Sequence, residues 1–176
     1  MLWKEAMILV LMGVTGSGKT TIGKLLAAET GWRFADADDF HSEANKAKMH
    51  ASIPLTDEDR KPWLATLHNL LLGWYEAGIS GILGCSALKQ SYRDELTAQI
   101  PPVNIRFILL DASRQELEER LKERKNHYMS PQLLQSQLDT LEVTPDLMRV
   151  CAEGPPEKIV QEILDELLTV EGKVDV

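Results

Sequence analysis

Apolar residues along this chain recur in two rhythms. Five short runs, at residues 6–12, 33–37, 79–84, 105–110 and 146–151, are mostly too apolar to keep one face in water and read as buried strands. Between them, residues 19–29, 57–75, 90–98, 114–125 and 157–169 read as helices. In the longest of these, Leu64, Leu67, Leu71 and Trp74 recur at helical spacing. They predict one face packed on a sheet, a core stripe and not a ligand box. Start signals are local. Thr56 with Asp59, and Ser113 with Glu116, have capping-box spacing, while Ser130-Pro131 and Pro155-Pro156 place proline in a first helical turn. Strand alternating with helix predicts an α/β fold: a three-layer parallel sheet with helices on both faces.

Size and charge narrow this picture. With 176 residues, 44% of them hydrophobic, the chain can bury one substantial core but not two, so residues 1–176 are expected to form a single domain. No internal repeat, low-complexity tract or linker interrupts it, and the polar tail from residue 171 is expected to fray. A net charge of −8 and a pI near 5.0 predict no nucleic-acid partner, because a phosphate backbone is held by clustered Lys and Arg. The longest basic run, Lys122 to Lys125, contains Glu123. The first apolar run is too short to span a bilayer, which predicts no membrane partner. Cys85 and Cys151 lack CxxC spacing and follow no secretory signal, so reduced thiols in a cytoplasmic protein are expected, each a small buried residue near a strand end. Met1 and Met7 are both possible starts.

The strongest chemical signal follows the first strand. Gly13-Val14-Thr15-Gly16-Ser17-Gly18-Lys19-Thr20 matches G-x-x-x-x-G-K-[ST] and runs directly into a helix. Glycines let the backbone wrap phosphate closely with several N–H groups pointing inward, and the helix N-terminus adds favourable potential. Lys19 is expected to bridge the β- and γ-phosphates of ATP, and Thr20 to ligate Mg²⁺. The sole Asn-Lys, Asn45-Lys46, continues as Ala47-Lys48 and not as a guanine-reading Asn-Lys-x-Asp, which argues against a signalling GTPase. A small-metabolite kinase is the class that remains.

Such a kinase needs a carboxylate for its acceptor hydroxyl and positive charge for the phosphoryl group. Asp36, Asp38 and Asp39 cluster at the carboxyl end of the second predicted strand, where open α/β sheets bind ligands. Asp36 and Asp38 are expected to share a face, Asp36 near the metal's water shell and Asp38 holding the hydroxyl; Asp39 better fits a turn that caps the next helix. Arg60, Lys89, Arg93, Arg120, Arg124 and His127 supply positive charge. Arg120 and Arg124, four apart, share one helix face, and Glu116 stands at ion-pair distance from Arg120. Helix, Lys125-Asn126-His127-Tyr128 and second helix together read as a flap able to carry a guanidinium onto the transferring group.

These residues resemble the gluconokinases. The likeness runs through residues 12–20, Asp36-Ala37-Asp38-Asp39-Phe40-His41, Lys48-Met49, residues 53–64 with Arg60-Lys61-Pro62-Trp63, Cys85-Ser86-Ala87-Leu88-Lys89, Tyr92-Arg93-Asp94, His127-Tyr128-Met129 and residues 133–142. The resemblance implies a fold like that of shikimate and adenylate kinases, a lid at about residues 120–140, use of ATP with Mg²⁺, phosphorylation of D-gluconate to 6-phospho-D-gluconate, and a homodimer. It implies that Asp38, Arg60, Lys89, Arg93 and His127 hold the acceptor, with Arg120 and Arg124 on the lid side. Two alternatives remain open at this point. One is a kinase of the same fold acting on another hydroxy acid such as shikimate; the other is a nucleotide-binding module without turnover.

Overall fold

The computed structural model describes residues 5–124 and 130–171. Five parallel strands form one sheet: β1 (Ile8–Met12), β2 (Arg33–Asp36), β3 (Gly81–Gly84), β4 (Ile105–Asp111) and β5 (Met148–Cys151), in the order β2-β3-β1-β4-β5. Every residue of β1 is buried, as its unbroken apolar sequence requires of a central strand covered on both faces. The helices are α1 (Lys19–Thr30), α2 (Glu43–His50), α3 (Asp57–Glu76), α4 (Gln90–Thr97), α5 (Arg114–Glu123), α6 (Pro131–Thr140) and α7 (Pro156–Glu171).

Alternation along β1 divides the core in two. Ile8, Val10 and Met12 join Leu64, Leu67 and Leu71 of α3, while Leu9 and Leu11 meet Ile22 and Leu26 of α1 with Ile159 and Ile163 of α7. Each fully buried aliphatic side chain contributes about 1.5–3 kcal/mol through removal from water. Trp74 lies directly on the start of β3: a Cβ at Gly81 would stand 2.3 Å from its ring, so only glycine fits there. A third, smaller cluster matters more for function. Val14 of the glycine-rich loop packs with Leu117 and Leu121 of α5, Leu134 of α6 and Leu88, so both helices flanking the expected flap are rooted on that loop.

Local signals behaved unequally. Thr56 and Asp59 form the reciprocal capping box of α3, and Ser130 caps α6 with Pro131 in its first turn. Ser113 caps α5 through the Glu116 N–H, but the Glu116 carboxylate turns to Arg120 and does not close the box. The shared face expected for Asp36 and Asp38 is absent. β2 ends at Asp36, and Ala37–Phe40 form a 3₁₀ turn that breaks the alternation. Asp39 does not cap the next helix either; Ser42 caps α2, its hydroxyl accepting from the Asn45 N–H at 3.1 Å. Cys85 is buried as expected, whereas Cys151 is exposed because β5 is an edge strand. Among the described residues no helix is long and apolar enough to cross a membrane.

Candidate active site

The loop between β1 and α1 owes its shape to its glycines and their close neighbours. Gly13 has φ of 140°, and a Cβ there would stand 2.8 Å from the Ser17 Oγ and 3.0 Å from the Leu110 carbonyl oxygen. Glycine is therefore required on two counts. The Lys19 ammonium donates back across the loop to the Gly13 and Val14 carbonyls at 2.9 and 3.0 Å. Burial lowers its pKa, opposed by the Asp38 and Asp36 carboxylates, and Arg124 adds to the lowering. Arg124 thus lies within electrostatic reach of Lys19. Ser17 Oγ is buried without a hydrogen-bond partner among the described residues.

At the adjacent strand end, Thr20 Oγ1 donates to Asp36 Oδ2 at 2.6 Å, and the other Asp36 oxygen accepts from the Asp38 N–H at 3.0 Å. The first contact joins a hydroxyl from α1 and a carboxylate from β2, two hard oxygen donors of the kind Mg²⁺ prefers, so the residues present fit that ion. Asp36 also shapes the turn that exposes Asp38.

Asp38 lines a cleft of about 660 Å³ that also includes Thr15 of the glycine-rich loop, Arg60, Lys89, Tyr92 and Gln137. Thr15 N–H is held by Gln137 Oε1 of α6 at 2.8 Å, tying that helix to the loop. In the same cleft, Arg60 donates to the Leu55 carbonyl at 2.6 Å, and its guanidinium stands 5.5 Å from the Tyr92 ring centre. Lys89 Nζ lies 3.1 and 3.2 Å from the two Asp57 oxygens and 5.3 Å from the same ring. Tyr92 Oη donates to Asp57 as well. That hydrogen bond and the Lys89 ammonium hold the Asp57 carboxyl below its ordinary range.

The remaining cations take different places. Arg93 is 1% exposed and does not line the cleft. Its guanidinium donates to the Ala87 and Glu142 carbonyls at 2.8 and 2.9 Å and to Gln90 Oε1 at 3.0 Å. Arg120 pairs with Glu116 at 2.8 Å and also reaches the Gly16, Ser17 and Ala152 carbonyls, bracing the glycine-rich loop from behind. His127 lies outside the described residues. The structure therefore brings Asp38, Arg60 and Lys89 to one cleft beside the loop, keeps Arg124 in electrostatic range of it, and folds Arg93 into the scaffold.

Sequence reasoning passed over His41. It is 7% exposed, lines the same cleft, and stacks on Trp63 with ring centres 4.2 Å apart at 12°. The available signal was its position three residues after Asp38 with Asn45 one helical turn further on.

Comparison with known proteins agrees with this geometry. Residues 8–144 match a family model described as an AAA domain. A probable gluconokinase of Dictyostelium discoideum is 49% identical over 80% of this chain and 72% of its own length. A gluconokinase of Gluconobacter oxydans is 45% identical over 89% and 88%. The crystal structure of a gluconokinase from Sinorhizobium meliloti superposes with a TM-score of 0.85 at 36% identity, covering 98% of this chain and 97% of that one. A phosphate-cradling loop, an acidic strand end and a cationic wall around one cleft are thus found in a chain that belongs to the gluconokinase family of P-loop kinases.

Proposed function

We propose that this protein transfers the γ-phosphoryl group of ATP to the terminal hydroxyl of D-gluconate, releasing ADP and 6-phospho-D-gluconate. The observation that carries this reading is that Thr15 of the phosphate loop, Asp38, Arg60 and Lys89 line one cleft. An aldonate has one carboxylate and a chain of hydroxyls. Cations suit the first, and a carboxylate suits a hydroxyl about to lose its proton.

In this mechanism Arg60 and Lys89 hold the gluconate carboxylate, Lys89 exchanging its Asp57 partner for the substrate. Asp38 accepts the hydrogen bond of the terminal hydroxyl, orients its oxygen toward the γ-phosphorus, and takes the proton as the new O–P bond forms and the bond to ADP breaks. Lys19 leaves the Gly13 and Val14 carbonyls for the β- and γ-phosphates, and free N–H groups within residues 13–20 cradle the phosphate oxygens. Thr20, with Asp36 acting through water, would hold Mg²⁺, which when bound neutralises charge on those oxygens. Arg124, and Arg120 if it leaves Glu116, would add guanidinium charge from the lid side, with His127 on the acceptor. Arg93 serves the acceptor through the wall that it braces. The working form is proposed to be a cytoplasmic homodimer acting on its small-molecule substrate without nucleic acid or membrane.

A coupled assay of ADP release across gluconate, other aldonates, shikimate and nucleosides tests the reading. Gluconate should show the highest kcat/KM; a clear preference for any acceptor that is not an aldonate would remove the substrate assignment.

A further inference from the structure

We infer that His41 is a specificity-determining residue of the acceptor cleft, its Nε2–H donating a hydrogen bond to one secondary hydroxyl of the sugar acid. This rests on the gluconate reading above and names a contact within that site.

The inference begins with a proton. Asn45 Nδ2 donates to the Asp59 carbonyl at 2.8 Å, and because a carbonyl only accepts, this bond fixes the orientation of the amide. The same nitrogen stands 3.4 Å from His41 Nδ1. An amide nitrogen has only hydrogens to offer, so Nδ1 is the acceptor and the imidazole proton sits on Nε2. Burial, together with the Arg60 and Lys46 charges, pushes the pKa of His41 down to about 4, so the ring stays neutral in this tautomer near neutral pH.

The ring is also held still. It stacks on Trp63, whose indole Nε1–H donates to the Ala37 carbonyl at 2.7 Å, the residue immediately before Asp38. His41 N–H donates to the Asp38 carbonyl at 3.3 Å. Imidazole and catalytic carboxylate thus belong to one small rigid unit formed by the 3₁₀ turn, α2 and α3. Among the described residues the sole buried side-chain polar atom without a partner is Ser17 Oγ, so the Nε2 edge is not an orphan sealed in the core. His41 lines the cleft, and its Nε2 edge is inferred to point into it. A neutral donor in the same small unit as Asp38 reads a hydroxyl along a polyol chain without competing for the substrate's carboxylate, which the Arg60 and Lys89 cations attract. A buried hydrogen bond of this kind discriminates by about 10- to 100-fold against a ligand lacking the group.

The test compares gluconate with aldonates deoxygenated at one secondary carbon each, in wild type, His41→Phe, His41→Asn and His41→Gln. Phe keeps the stack on Trp63 and removes the donor. Asn keeps a short polar group near Asn45 that cannot reach the Nε2 position, and Gln returns an N–H there. Wild type should lose about tenfold or more in kcat/KM on one deoxy aldonate. His41→Phe and His41→Asn should treat that compound and gluconate alike, with KM for ATP within about twofold of wild type, and His41→Gln should recover part of the discrimination. If Phe fails to fold, Asn carries the same comparison. Unchanged discrimination against every deoxy aldonate in the donor-less variants would overturn the His41 assignment and leave gluconate standing. Wild type preferring an acceptor that is not an aldonate would overturn both.

Discussion

The two ends of the cleft are built by different means. At the nucleotide end, Lys19 reaches carbonyls five and six residues back along the chain, all within one octapeptide that Gln137 and Arg120 brace from outside. At the acceptor end, Trp63 meets Ala37 across 26 residues, Lys89 meets Asp57 across 32, and Arg93 meets Glu142 across 49. A phosphate cradle needs many N–H groups at close range, which a short run of glycines provides. Selecting an acceptor needs a few side chains at larger separations, which only the folded sheet and its loops provide. The first kind of site is carried by a motif, the second by topology.

If that contrast is right, damage at the nucleotide end should cost turnover and leave the fold alone. Lys19→Ala should lower kcat by roughly 10³ or more, because a charge aimed at the transferring phosphoryl group acts mainly in the transition state. Its Tm should stay within a few degrees of wild type; a large fall in Tm would show that the ammonium serves the loop and not the phosphate. Asp38→Asn should lower kcat by about 10² or more through loss of the proton acceptor, with nucleotide affinity retained. Lost ATP binding by calorimetry would move Asp38 to the metal side.

Two arginines near the end of α5 sharpen the comparison. Arg124 lies in electrostatic range of Lys19, while Arg120 is held by Glu116 and three carbonyls. Arg124→Ala should therefore lower kcat by about 10²-fold with little change in gluconate KM. Glu116→Ala serves as the ion-pair control and should stay within about twofold, since such helix pairs contribute only a few tenths of a kcal/mol. If Arg120→Ala proves the more damaging variant in kcat, Arg120 leaves its carbonyls during turnover and the two roles exchange.

At the acceptor end damage should reach the fold first. Arg93→Met leaves buried carbonyls without their donor and should cost about 3 kcal/mol of stability, read from urea unfolding. Full activity with unchanged stability would mean that the guanidinium is not the brace its hydrogen bonds indicate. A last effect concerns pH. His41 titrates near 6.5 when unfolded and at about 4 when folded, so the unfolded state binds more protons between those values. Its contribution to stability is complete above about pH 6.5 and is lost as pH falls toward 4. Tm should decline across that window in wild type and more shallowly in His41→Gln. Lys46 and Arg60 act on the ring electrostatically, and the difference in slope between wild type and His41→Gln isolates the imidazole's part.

What the sequence revealed follows the same division. β1, the glycine-rich loop and the α3 stripe were legible because each is decided by neighbours within a few residues, and so was the Thr56 capping box. Helix α2 was passed over: its eight residues are largely polar and it forms because Ser42 caps it and Asn45 anchors it to α3. The face assigned to Asp36 and Asp38 failed where alternation stopped, at a turn that Asp36 itself caps. Cys151 was expected inside because strand order, which puts β5 at the edge, is not written in any local pattern. Arg93 read as a substrate cation for the same reason. Only the return of the chain at Glu142 buries it.

That return has a consequence for how the enzyme can change over evolutionary time. Glu142 N–H donates to the Leu88 carbonyl at 2.8 Å, its carboxylate accepts from the Gln90 N–H at 2.7 Å, and its carbonyl accepts from Arg93. The segment carrying Lys89 and the segment leaving α6 are thus clasped at three points. Insertions or deletions between α5 and α6 would leave these contacts in place, whereas a change of length just before Glu142 would shift Gln137 against Thr15 and strain the wall that carries Lys89. In a lineage of such chains, length variation should therefore collect between α5 and α6 and stop short of Glu142, and replacement of Arg93 should occur only together with replacement of its partners.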